Sequence, residues 1–244
     1  MIPYIRREKI LEILNSNDLI KIELLQEELS TVSMSTLRRD LKELEREGKV
    51  QLLSGGAVKK KGTISELSFS TKSMLNTKEK EYISSLAIKE IEDGDTIYLD
   101  SGSTCTVLLT ELVKHDVHIV TSNTNVFNIN RDIIATITVL GGTYNPNISS
   151  LSGSLTLNSL DNFIFDKAFL GANGIDKQFG ITTPTLREAT KKREVKKRSK
   201  ETYVLCDSTK FDTTSSVKAF EIDEVTVITD KKNDKYSSIT NLIN

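Results

Sequence analysis

The stretch V-S-M-S-T-L-R-R-D-L-K-E-L, residues 32 to 44, decides how the front of this chain is read. Ser33 is a helix N-cap, because its hydroxyl can accept one of the backbone N–H groups that a helix start leaves unpaired. Leu37, Leu41 and Leu44 recur at i, i+4 and i+7 and share one helix face. At about 100° per residue, Ser35, Arg39, Lys42 and Arg46 fall on or near the opposite face, with Arg38 on one shoulder and Asp40 on the other. A capped helix with a leucine spine and an arginine-bearing face has the form of one that lies in a DNA major groove. A charged face alone is equally that of a solvated helix, so the flanks decide.

Upstream, I-R-R-E-K-I-L-E-I-L-N carries Ile5, Ile10, Leu11, Ile13 and Leu14 at helical spacing and predicts a helix over residues 3–15, with Pro3 in its first turn. A turn from Asn15 to Asp18 then leads to a second short helix, its stripe formed by Ile20, Ile22, Leu24, Leu25 and Leu29. Downstream, Gly48 suits a helix C-terminus, and K-V-Q-L-L-S-G-G-A-V predicts a hairpin around Gly55-Gly56. Three short helices and a wing in under about 60 residues make a sufficient DNA-binding module.

The pattern V-S-x-S-T-L-R-R-D-L-x-x-L-E-x-x-G-x-V, followed by G-G-A, resembles the N-terminal domain of the DeoR family of bacterial transcriptional regulators. The resemblance implies that Arg38 and Arg39 contact DNA through phosphates or guanine edges, with Ser33, Ser35, Thr36 and Lys42 nearby. Arginine suits both contacts because its planar fork binds bidentately. Leu52 and Ser54 stand where the family often has an arginine and a histidine, so the resemblance does not extend to a wing contact there.

The 244 residues are enough for two domains and a sizeable core in the larger one, and 37% hydrophobic with 27% charged residues describes an ordinary soluble protein. The net charge is -1, and residues 1–62 carry 12 Lys+Arg against 10 Asp+Glu. DNA affinity must then rest on a few placed cations and on dimerisation rather than on a broad positive field. Cys105 and Cys206 are isolated, and neither a signal peptide nor a membrane-spanning run is present, which fits a reduced cytoplasmic setting without membrane association. Neither a metal nor a cofactor is expected, since His115 and His118 lack further ligands at metal-binding spacing.

Lys59-Lys60-Lys61-Gly62 marks the exit from the first module, as a solvated linker or a phosphate contact, and residues 63–76 continue a connecting segment. From Thr77 a helix with the stripe Ile83, Leu86, Ala87 and Ile91 runs to the turn at Glu92-Asp93-Gly94. The period then changes. Apolar, β-branched runs at 96–100, 118–122, 136–140, 167–171, 202–207 and 226–230 predict strands, with room for crossover helices at 105–114, 123–131 and 186–200. Such alternation predicts an α/β domain with a mostly parallel sheet, which binds ligands beyond the carboxyl ends of its strands. The expected boundaries are 1–58 for the winged helix–turn–helix, 59–76 for the linker and 77–244 for the α/β effector-binding and oligomerisation domain.

Three small polar loops end successive strands: Asp100-Ser101-Gly102-Ser103-Thr104, Thr121-Ser122-Asn123 and Gly141-Gly142-Thr143. The first precedes a helix, where backbone N–H groups and the macrodipole favour an anion; the same loop also serves as an ordinary capped connection. Further on come F-L-G-A-N-G-I-D, with Asn173 and Asp176, then G-I-T-T-P-T-L-R-E-A-T-K-K, then C-D-S-T-K-F. Glu188, Lys192 and Lys210 there are suited to hydrogen-bond sugar hydroxyls or pair with a phosphate. The other lysines of 191–200 read as a solvated basic helix, with Lys192 set apart because it falls four residues after Glu188.

Together these segments resemble the DeoR effector domain, which shares a fold with ribose-5-phosphate isomerase. The resemblance implies a repressor of sugar metabolism whose sensor domain binds a phosphorylated sugar and whose dimer or tetramer binds a double-stranded operator. An activator and an isomerase-like enzyme are the alternatives. Isomerisation needs a carboxylate base to move a proton between carbons. Where the isomerase has the aspartates of D-G-A-D, this chain has Leu170 and Asn173, so binding without turnover is expected.

Overall fold

The computed structural model describes residues 2–17, 19–53, 55–60, 69–130 and 132–244. Asp18 of the expected first turn, Ser54 of the wing, linker residues 61–68 and Arg131 lie outside the described residues. The chain divides into two compact units, residues 1–75 and 76–244.

The first unit contains α1 (Pro3–Ser16), β1 (Leu19–Lys21), α2 (Ile22–Glu28), α3 (Met34–Arg46), β2 (Val50–Leu53), β3 (Ala57–Lys60) and α4 (Phe69–Met74). Leu37, Leu41 and Leu44 of α3 are fully buried against Ile10 and Leu14 of α1, Leu25 of α2, and Val50 and Val58 of the wing. β2 and β3 form the wing hairpin, whose turn contains Gly55 and Gly56 at φ 100° and 75°, a region that residues with a Cβ rarely adopt. β3 runs to Lys60, two residues past the boundary expected at 58.

Two sequence expectations change here. Leu19–Lys21 is a strand, not the start of a helix, and pairs antiparallel with β3 at Leu19↔Lys59 and Ile20↔Val58. Three residues are too few to show a period, and the partner lies far along the chain. Ile5 and Leu24, expected in buried stripes, are exposed.

The second unit begins with α5 (Thr77–Ile88), β4 (Thr96–Leu99), α6 (Ser103–Leu112), β5 (His118–Thr121), β6 (Thr136–Val139), β7 (Thr143–Asn145) and β8 (Ser150–Ser152). It continues with α7 (Ser154–Leu160), β9 (Phe165–Gly171), β10 (Gly174–Asp176), β11 (Gly180–Thr183), α8 (Leu186–Lys197) and β12 (Ser199–Leu205). It ends with β13 (Val217–Phe220), β14 (Thr226–Ile228), α9 (Asp234–Ser237) and β15 (Leu242–Ile243). A seven-stranded parallel sheet runs in the order β15-β14-β12-β9-β4-β5-β6.

Alternation along the strands feeds two cores. Ile97 and Leu99 of β4, Phe169 of β9 and Leu205 of β12 pack with α5 and α6 through Ile83, Leu108 and Leu112. Tyr98, Ala168, Leu170 and Val204 face the other way, toward Leu160, Ala189 and Val195 of α7 and α8. Ile181 and Phe220 add to this second core from the small antiparallel sheet β10-β11-β13, which the sequence reading did not anticipate. The expected crossover helix over 123–131 is instead a single 3-10 turn, Thr124–Asn128. From β4 the strand order proceeds outward through β5 and β6 on one side and through β9, β12 and β14 on the other. The carboxyl ends of β4 and β9 therefore flank a topological switch point, where open α/β sheets form a crevice.

Candidate functional site

In the first unit, α3 is capped as its sequence demands: Ser33 Oγ accepts from Thr36 N at 3.3 Å. The same hydroxyl lies 3.1 Å from Ser35 Oγ and 2.9 Å from Thr36 Oγ1, so the three hydroxyls share one cluster at the helix start. Arg38, Arg39 and Lys42 are exposed on the face away from the leucines, and among the described residues none has an ion-pair partner. Arg46, by contrast, is paired with Glu43. Asp40 does not sit on an outer shoulder. It is buried and bound by the Arg6 guanidinium, with Arg6 Nη2 3.1 Å from Oδ1 and Arg7 Nε at 3.5 Å. This pair fastens α3 to α1 and leaves the opposite face with a surplus of cations.

In the second unit, the loops after β4 and β5, the start of β8 and the end of β9 meet at the switch point, where α8 adds Lys191 and Lys192. Asp100, 4% exposed, is the hub. Its Oδ1 accepts from Ser101 N at 2.9 Å, its Oδ2 accepts from Gly171 N at 3.2 Å, and Lys192 Nζ pairs with Oδ2 and donates to Gly171 O at 2.8 Å. The carboxylate that Lys192 touches is thus Asp100, not Glu188 four residues before it. Glu188 Oε2 accepts from the hydroxyls of Thr183 and Thr185, at 3.0 and 3.4 Å.

Lys191, read from sequence as solvated, is 3% exposed. Its ammonium donates to Ser122 Oγ at 2.8 Å, Ser150 Oγ at 3.1 Å, and Ser101 Oγ and Leu151 O at 3.5 Å. Ser101 Oγ is 2.5 Å from Ser150 Oγ and 3.2 Å from Ser122 Oγ, and Tyr98 OH is 3.2 Å from Ser122 Oγ. Lys191, Ser150 and Tyr98 are the members of the cluster that sequence reasoning missed. One signal was available: Lys191 lies four residues before buried Val195 and so shares its inward face.

Electrostatics follow from burial and these pairings. Burial pushes the Asp100 carboxyl up, but the charges of Lys192 and then Lys191 outweigh it and hold the group well below the usual carboxylate range. Burial also lowers Lys192, yet Asp100 and Glu188 raise it further, whereas for Lys191 burial prevails and its value falls. Burial pushes the Cys105 thiol up to about 12, so it packs as a neutral group.

The other expected residues divide into two sets. Gly102, Ser103 and Thr104 open α6, whose N-cap, Gly102, has no side chain to occupy the first-turn N–H groups. Thr121 and Asn123 are fully buried braces: Thr121 Oγ1 donates to Leu99 O at 2.5 Å, and Asn123 Nδ2 donates to Thr106 Oγ1 at 2.8 Å. Gly141 O accepts from Thr156 Oγ1 at 2.6 Å, and Gly142, at φ 148°, leaves no room for a Cβ beside Thr156 and Ser152. Asn173 N donates to Thr182 O at 3.1 Å. Asp176 Oδ1 accepts from Gln178 N and Phe179 N, closing the β10–β11 turn, and Lys210 Nζ lies 3.9 Å from Asp207. The structure thus gathers Asp100, Ser101, Ser122 and Lys192 in one cluster, while Asp176 and Lys210 make their contacts elsewhere.

Among the described residues no helix is long and apolar enough to cross a membrane. The fold is similar, at a TM-score of 0.41, to ribose 5-phosphate isomerase A from Methanocaldococcus jannaschii, with 20% identity over 56% of this chain and 55% of that one. The transcriptional regulator FruR of Bacillus subtilis is 34% identical, with 92% of this chain and 89% of FruR covered. The lactose phosphotransferase system repressor of Streptococcus mutans is 31% identical, with 98% of each covered. Residues 6–63 match the DeoR-like helix-turn-helix domain, and residues 75–231 match the DeoR C-terminal sensor domain. The chain belongs to the DeoR family of helix–turn–helix transcriptional regulators.

Proposed function

We propose that this regulator is a cytoplasmic, homo-oligomeric repressor of a sugar-metabolism operon, released from its operator by a phosphorylated sugar held at the switch point of the second unit. The observation that carries the reading is the start of α6. Its first-turn N–H groups, opening on Gly102 without a side-chain cap, stand beside a buried cluster in which two lysines face one aspartate. A helix N-terminus with added cations suits a phosphate, and the hydroxyls of Ser101, Ser122 and Ser150 suit a polyol. Arg38, Arg39 and Lys42 grip the duplex, with Ser33, Ser35 and Thr36 at the same helix start. A relative named as the lactose phosphotransferase system repressor supports a sugar-linked role without fixing the sugar.

The site binds without turnover. Leu170 is packed in the core, and Asn173 supplies an amide where a base is needed. Asp100, the carboxylate at the centre, is held ionised by two ammoniums and makes a weak base. A dimer or tetramer built through the second unit sets the spacing of operator half-sites, and the effector acts by binding the DNA-competent and DNA-free forms with different affinity. A thermal-shift panel of sugar phosphates tests the sensor, since a ligand that binds the folded form stabilises it by mass action. A melting temperature that no member moves refutes the assignment of the site, and turnover of a pentose phosphate that Glu188→Ala abolishes refutes the absence of catalysis.

A further inference from the structure

Lys191 and Lys192 are neighbours on α8, both buried, yet they are satisfied differently. Lys192 is neutralised by direct contact with Asp100. Lys191 hydrogen-bonds only neutral oxygens, and Asp100 Oδ1, at 3.8 Å, is beyond hydrogen-bond reach. The charged groups acting on Lys191 are Asp100, Lys192 and Glu188, and Glu188 is half-buried and bonded to two threonine hydroxyls. Two buried ammoniums therefore share one buried carboxylate.

An ammonium removed from water is costly unless it is paired with an opposite charge. Ser101, Ser122 and Ser150, which accept from Lys191, are hydroxyls, and each can rotate to donate to an anion that arrives alongside them. Lys191 and these three serines form a compact group of donors around one ammonium. It is distinct from the N-terminus of α6, because Ser101 belongs to the serine cluster while Ser103 and Thr104 open the helix.

Resting on the effector reading above, we infer that Lys191 makes the site select a ligand with two anionic groups: a phosphorylated sugar acid or a sugar bisphosphate, in preference to the monophosphate of a neutral sugar. The phosphate sits at the start of α6, and the second acid group accepts from Lys191 and the serine hydroxyls. Lys191 thereby acts as a specificity-determining residue rather than a general phosphate contact.

Calorimetric titration of the full chain tests this with matched probes that differ by one acid group. The pairs are erythrose 4-phosphate against 4-phosphoerythronate, glucose 6-phosphate against 6-phosphogluconate, and fructose 6-phosphate against fructose 1,6-bisphosphate. In the wild type, the tightest binder is the doubly anionic member of its pair, by about tenfold or more in Kd. Lys191→Met removes about tenfold from that member and leaves its partner within about twofold. Equal binding within every pair overturns the inference while leaving the effector site standing, as does an equal loss for both members in Lys191→Met. If no probe of any pair binds, the effector reading itself falls and the inference with it. The wild-type ratio alone decides the matter should Lys191→Met fail to fold, and Ser150→Ala provides a second variant, expected to narrow the same gap.

Discussion

Asp40, in the middle of α3, is held by Arg6 of α1, both residues being buried. The pair lets one helix carry a buried acid on its inner side and, on its outer side, Arg38, Arg39 and Lys42, which have no ion-pair partner among the described residues. Asp40→Ala removes the carboxylate that binds the buried Arg6 guanidinium and is expected to cost the first unit about 3 kcal/mol, because breaking a buried ion pair by deleting one member is strongly destabilising. Denaturant unfolding measures it. The double replacement Arg6→Met with Asp40→Leu is expected to recover most of the loss, since an apolar pair of similar volume often substitutes at little cost.

Arg39 is expected to contribute to DNA binding and not to folding. Its side chain is exposed and has no ion-pair partner among the described residues, so Arg39→Ala is expected to leave stability within about 0.5 kcal/mol. Operator affinity, followed by fluorescence anisotropy, is expected to fall by about 1–3 kcal/mol, the range of one bidentate base contact.

At the sensor, Asp100→Asn leaves two buried ammoniums without their shared carboxylate and is expected to cost about 3–5 kcal/mol. The pH dependence has a fixed sign. Asp100 has a depressed pKa in the folded chain, so its contribution is fully present above the ordinary value of 3.8 and is lost as pH falls through the lower folded value. The stability difference between wild type and Asp100→Asn should be constant from pH 5 to 7, within about 0.5 kcal/mol, and shrink below about pH 4. A difference that grows in acid contradicts the pairing.

Gly142→Ala tests the packing of the third loop. A Cβ there collides with Thr156 Oγ1 and comes within 2.7 Å of Ser152 O, on a backbone with φ 148°. The expected loss is about 1–3 kcal/mol, the usual range for forced overpacking. A Tm equal to that of wild type contradicts the close approach.

Much of this molecule is legible in its residues, and the failures have physical causes. The leucine spine of residues 37–44, the glycine turn of the wing and the parallel strands all rest on local periodicity, and the structure has each of them. The strand Leu19–Lys21 and the pairing of β11 with β13 depend on partners distant in sequence, which no window of neighbours reveals, and β10 is too short to show a period. Asp40 and Lys191 were misplaced for a related reason: a charged residue normally faces solvent, and only the partner from another element, Arg6 or the serine cluster, makes its burial affordable. Lys192 stands apart in the sequence through Glu188, four residues before it, whereas its ion pair is with Asp100, which a helical spacing cannot reveal.

The central claim is that one unit grips DNA while the other holds an anionic sugar that loosens the grip. The most direct measurement is anisotropy titration of the full chain against a labelled duplex from upstream of its own operon, at low ionic strength, beside a scrambled duplex. The titration is then repeated with each sugar phosphate that raises the Tm. The expected result is preferential binding of the upstream duplex and at least a tenfold loss of affinity with one such compound. Equal affinity for both duplexes, unchanged by every compound that binds the second unit, contradicts the account.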